Sequence, residues 1–135
     1  MSNVAIVQKA LDAIAAGDLD AVMTCLTDDV VFEFPYTDGG TVLDKAGAAR
    51  TIGFIITTFS ARTFHVEEVY DPATPDRVVL EYSSRMRSAV GDVEYSNRYV
   101  AIFVFRDGLI SLWREYANPL PFFNALAAIK AAAPG

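Results

Sequence analysis

The chain has 135 residues, 53% hydrophobic and 12% aromatic, with a formal net charge of −6. This suits one domain, 1–135, with a substantial core of its own. The acidic balance argues against nucleic acid and anionic membrane surfaces as partners, and no segment reaches the ~18 apolar residues of a membrane span.

The predicted elements begin with Val4, Val7, Leu11 and Ile14, which recur at helical spacing. Gly17 reads as the stop, and Asp18 as the cap of a second helix carrying Leu19, Val22, Met23 and Leu26 on one side. Val30, Phe32 and Phe34 then alternate with Val31 and Glu33 until Pro35, a short strand. Thr37-Asp38-Gly39-Gly40 is a turn, with Tyr36 and Asp38 where the mouth of a pocket would lie. Asp44 caps a third helix whose buried stripe is Ile52, Ile55, Ile56 and Phe59.

From Phe64 the pattern becomes β. FHVEEVY alternates, and DPATPD turns the chain. RVVLEYSSRMRS (77–88) and VEYSNRYVAIFVF (93–105) are long strands separated by AVGD, and RDG is a hairpin turn. LISLWREYA (109–117) is the last strand, and LPFFNALAAIKAAA is a closing helix with Phe122, Leu126 and Ile129 at i, i+4 and i+7. Helices and an early strand followed by four consecutive antiparallel strands predict an α+β fold.

The N-terminus carries acids in an amphipathic period, unlike a signal peptide, and one Cys allows no intrachain disulfide, so a cytoplasmic location is expected. A single His and a single Cys argue against a metal centre built on those ligands. Cys25 reads as a small buried hydrophobe. There is no G-x-S-x-G, P-loop or G-x-G-x-x-G motif. What remains is carboxylates, tyrosines, arginines and His65, which suit cofactor-free proton transfer or polar ligand contacts.

Alternation assigns faces. In 109–117, Leu109, Ser111, Trp113, Glu115 and Ala117 share one side, and Ile110, Leu112, Arg114 and Tyr116 the other. Neither side is polar throughout, so both should be covered. In 93–105, Tyr95, Asn97, Tyr99, Ala101, Phe103 and Phe105 form what looks like a pocket wall, polar at one end and apolar at the other. In 77–87 the polar face is Arg77, Val79, Glu81, Ser83, Arg85 and Arg87.

GDLDAVMTCLTDDVVFEFP, the helix opening at Asp44-Lys45-Ala46-Gly47, and YSNRYVAIFVFRDGLISLWREYANPL together resemble a SnoaL-like protein of the nuclear transport factor 2-like superfamily, over nearly the whole chain. The resemblance implies a cone: a strongly curved antiparallel sheet around a pocket, closed by the N-terminal helices. It also implies a homodimer through the sheet's outer face. Ketosteroid isomerases of this superfamily carry a base before the proline that ends the first strand, whereas Phe34 precedes Pro35 here. Scytalone dehydratase uses pocket histidines, and this chain has one His. Glu115, in the Trp-Arg-Glu-Tyr-x-Asn-Pro run, best matches the phenazine-biosynthesis A/B-type pattern, which like the polyketide cyclases has an acid on the last strand.

The expected function is binding of an apolar small molecule, with isomerase, cyclase, dehydratase or hydrolase chemistry. The alternative is a non-catalytic ligand-binding or dimerisation module. Glu115 is either the acid/base group or half of a salt bridge with Arg98, Arg85 or a second subunit. Asn97 and Tyr99 are candidate oxyanion donors or a satisfied polar core. Trp113, Tyr95, Glu81, Phe103, Tyr36 and His65 are candidate ligand contacts. Glu81 could equally pair with a neighbouring arginine, and Asn118 could hold the strand end.

Overall fold

The computed structural model describes residues 1–37 and 39–134. Among these the elements run α1 (Asn3–Ala16), α2 (Leu19–Met23), β1 (Leu26–Phe34), β2 (Thr41–Leu43), α3 (Lys45–Thr58), β3 (Phe59–Tyr70), β4 (Arg77–Ser88), β5 (Glu94–Arg106), β6 (Leu109–Tyr116) and α4 (Leu120–Ala132). Asp38, read above as part of a turn and a mouth contact, lies outside the described residues.

The first three helices start on caps their sequence offers. Ser2, Asp18 and Asp44 accept from the backbone N–H of Ala5, Ala21 and Gly47. Gly17, at φ 76°, ends α1 in the left-handed conformation, its own and the next N–H satisfying the last carbonyls. One correction concerns Leu26: α2 is a single short turn, and Leu26 opens β1. Phe59 is fully buried as expected but begins β3, five residues before the predicted strand start. The three-residue β2 is too short to leave a periodic signature.

The strands form one open sheet in the order β2-β1-β6-β5-β4-β3. The meander from β3 to β6 is antiparallel as read, but β1 lies parallel to β6, so the sheet is mixed. Bulges interrupt β3 beside β4 and β6 beside β5, where they bend the sheet. Val78, Leu80, Tyr82 and Ser84 of β4 and Tyr95, Tyr99, Ala101 and Phe103 of β5 are buried on the concave face. Val78, Leu80, Tyr82, Tyr99, Ala101 and Phe103 pack with Val7, Leu11 and Ile14 of α1 and Ile52 of α3, while Tyr95 packs with Phe59 and Met86 and with Ala125 of α4. At ~25 cal/mol per Å² this shared apolar burial is the main term holding helices to sheet.

The bulge at Ser111 also overturns the simple alternation of the last strand. Val104 faces Leu112, yet Phe105 faces Ile110, so Ile110 turns inward with Trp113 and is fully buried. Arg114 does point away, into a bidentate contact with Glu33 of β1 at 2.9 and 3.4 Å.

Candidate functional site

Between the concave sheet face and the helices lies a cavity of about 420 Å³. β1, β4, β5 and β6 supply Phe32, Tyr82, Tyr99 and Trp113 to its wall, α3 supplies Ile52 and Ile55, and α4 supplies Phe122 and Phe123. The chemistry sits on β6. Glu115 lies beyond the Ser111 bulge and two residues past the inward Trp113, so the pleat aims it into the cavity.

Glu115 is half-buried, and both of its recorded protein contacts fall on one oxygen. Tyr82 O–H donates to Oε1, and Trp113 Nε1–H donates to the same atom at 3.3 Å. Among the described residues Oε2 has no protein donor. Loss of solvent pushes the carboxyl above its ordinary pKa of 4.5, and the Tyr82 and Trp113 hydrogen bonds, which favour the anion, oppose that shift. Burial and the nearby carboxylate push the Tyr82 phenol well up, so it stays a donor.

A second polar cluster adjoins the first. The Tyr82 ring stacks on Tyr99 with centroids 4.4 Å apart and planes 18° from parallel. The Tyr99 hydroxyl lies 2.7 Å from Ser84 Oγ and 3.1 Å from the Tyr95 hydroxyl. Asn97 donates from Nδ2 to Tyr95 at 3.1 Å and to the Asn118 carbonyl at 2.9 Å, and its Oδ1 accepts from Arg98 N–H. Both Asn97 N–H groups are thus engaged by protein. Asn118 also holds the strand end, accepting from Leu120 N–H at 3.1 Å.

Of the residues singled out from sequence, the structure gathers Glu115, Trp113, Tyr95, Asn97, Tyr99 and Tyr36 on this cavity. Tyr36 stands at the mouth, edge-on to Tyr116 at 5.4 Å. Phe103 lies behind the wall, fully buried against Trp113 at 4.8 Å, as core and not as lining. Glu81 is on the opposite side of β4, opposite Glu68, because alternation that brings Tyr82 in must turn Glu81 out. His65 is on the outer face too, its side chain 76% exposed and 3.9 Å from Glu67. Arg98 and Arg85 are exposed on that same face and do not pair with Glu115. Tyr82 went unread as a site residue. The signal was present in the inward set Val78, Leu80, Tyr82, Ser84 and Met86, a greasy stripe interrupted by two hydroxyls. Among the described residues no group of three or more His, Cys, Asp and Glu is placed to hold a metal ion.

The model of the SnoaL-like domain matches residues 7–113, a span that ends before Glu115. An uncharacterised PhzA/B-like protein of Pseudomonas aeruginosa is 30% identical over 106 residues, covering 76% of this chain and 74% of that one. Among solved structures that share the fold are two of named activity. One is an LEH-like epoxide hydrolase of M. tuberculosis, 21% identical, with a TM-score of 0.72 over 96% of this chain and 92% of its own. The other is IdmH of Streptomyces antibioticus, named as a candidate polyketide cyclase, 18% identical, with a TM-score of 0.78 over 94% and 99%.

Proposed function

The chain belongs to the SnoaL-like domain family, and on that premise we propose that it binds an apolar organic molecule in the cavity and catalyses a proton transfer on it with its own side chains. Glu115 is the acid/base group. The observation that carries this reading is the carboxyl's setting: it stands in an aromatic cavity, gripped at Oε1 by two donors, with Oε2 left for a ligand.

That setting suits the task. A carboxyl raised toward neutrality exchanges a proton readily in either direction. Tyr82 and Trp113 hold it in one orientation, so little ordering is left to the reaction step. The Tyr95–Tyr99 pair orients an oxygen of the bound molecule, where charge collects when a carbon-bound proton leaves. Asn97 is a positioning residue that holds Tyr95. Isomerisation and ring closure of a carbonyl compound need this pair of devices, a base at carbon and donors at oxygen. The epoxide hydrolase and the cyclase named above share the fold, which fits cofactor-free acid/base chemistry in such a cavity. The reading includes self-association through the sheet's outer face, where Val100 is 39% exposed and Ile102 and Val104 are half-buried.

The test is deuterium exchange. A panel of cyclic ketones is incubated with the protein in D₂O and followed by mass spectrometry. Wild type incorporates deuterium next to the carbonyl, and Glu115→Gln slows this by about 10²–10⁴-fold with ligand affinity retained. Equal exchange in Glu115→Gln refutes the acid/base role. Ligands that raise Tm with no turnover in wild type put the non-catalytic binding module in its place.

A further inference from the structure

Resting on the reading that this cavity binds a small molecule, we infer that the Tyr95–Tyr99 pair presents one unspent O–H to the cavity, and that the ligand carries an uncharged acceptor oxygen to receive it. The reasoning is a count of hydrogens. Three hydrogen bonds join Asn97 to Tyr95, Tyr95 to Tyr99, and Tyr99 to Ser84. Four hydrogens are available for them: three hydroxyls and one Asn97 N–H, the other N–H being bound to the Asn118 carbonyl. One hydroxyl hydrogen is left over.

Its position follows from burial. Were it on Ser84, a side chain 3% exposed and away from the cavity wall would hold a donor with no further partner among the described residues. Folded proteins rarely strand such a donor. Ser84 therefore donates to Tyr99, and the surplus O–H falls on Tyr95 or Tyr99, both of which line the cavity. Burial keeps both phenols protonated through neutral pH. The described lining residues include no Lys, Arg or His, and they do include a carboxyl, so an anionic oxygen would enter unpaired. A ketone, ether or epoxide oxygen fits.

Calorimetry with 1-tetralone and tetralin, the same bicyclic skeleton with and without a carbonyl, tests this. Wild type is expected to prefer the ketone about five- to tenfold, the worth of one hydrogen bond. By the same count each single change still leaves an O–H on a cavity-lining tyrosine, Tyr99 in Tyr95→Phe, Tyr95 in Tyr99→Phe (which also strands the Ser84 hydrogen) and one of the two in Ser84→Ala, so the preference survives each. Tyr95→Phe combined with Tyr99→Phe removes both phenols but frees the Asn97 N–H that Tyr95 had accepted, so Asn97→Leu is added; this triple variant loses the preference, while tetralin affinity holds within about threefold because side-chain volume is nearly conserved. The carbonyl stretch of bound tetralone moves back toward its hydrocarbon value in that triple variant. A wild type without preference that gains it in Ser84→Ala would place the surplus hydrogen on Ser84 and overturn the inference. A preference that survives the triple variant but falls in Glu115→Ala overturns it as well, since the donor is then the Glu115 acid, and leaves the catalytic reading intact. A tyrosine-dependent preference together with unchanged deuterium exchange in Glu115→Gln sinks the catalytic reading and leaves this one.

Discussion

At the scale of the residue, Glu115 couples the site to pH. Its folded pKa lies above its unfolded value, so the folded state binds its proton more tightly. The stability this contributes is full below the unfolded pKa and is lost as pH rises through the folded one. Glu115→Gln, which cannot ionise, is therefore expected to gain stability relative to wild type between pH 4 and pH 7. Urea unfolding at the two pH values measures this, and a variant that loses stability relative to wild type as pH rises contradicts it. Tyr82→Phe removes a donor that favours the carboxylate, so the Glu115 pKa rises further. Carbon-detected NMR titration of the Glu115 carboxyl reads that shift, and a fall would show that Tyr82 does not stabilise the anion. The inward aim of Glu115 was legible from its place beside Trp113. Its partner was not, because Tyr82 lies 33 residues away and meets it across β5.

At the scale of the element, Arg62 of β3 joins pieces that local rules leave open. Its guanidinium donates to the carbonyls of Ile14 and Ile56 at 2.9 and 3.0 Å, to Ala15 at 3.3 Å, and to Phe59. One side chain thus satisfies carbonyls at the C-terminal ends of both α1 and α3 and pins them to the sheet. Arg62→Ala is expected to cost about 1–3 kcal/mol in chemical denaturation. Arg62→Lys should recover less than half of that, since an ammonium lacks the planar fork that reaches several carbonyls at once. Full recovery by Lys would mean that charge alone matters. The turn from β5 to β6 is more local: Asp107 and Gly108 both have positive φ, 53° and 76°. Gly108→Ala meets no atom within 4 Å, so backbone strain alone is tested, with an expected loss of about 1 kcal/mol. Caps and hairpin turns of this kind were readable because they depend on neighbours in the chain. The bulge at Ser111 was not, because it is set by how β5 and β6 meet.

At the scale of the whole molecule, the helices cover one side of the sheet and leave the other with Val100 exposed between Glu81 of β4 and Tyr116 of β6. Proposed self-pairing of that face predicts a sedimentation mass of twice 14.7 kDa and a monomer for Val100→Glu; a monomeric wild type removes the dimer from the reading. The sequence by itself determined the helix starts at the Asp18 and Asp44 caps, the four-stranded meander and which residues of β5 face inward, though not which of those line the cavity. These follow from capping chemistry and from periods of 3.6 and 2, which the chain carries locally. Tertiary structure alone decided that β1 runs parallel to β6, that Glu81 and His65 turn outward, and that Tyr82 meets Glu115. Those outcomes depend on contacts between residues far apart in the chain, and one residue of register is enough to reverse which face a side chain takes.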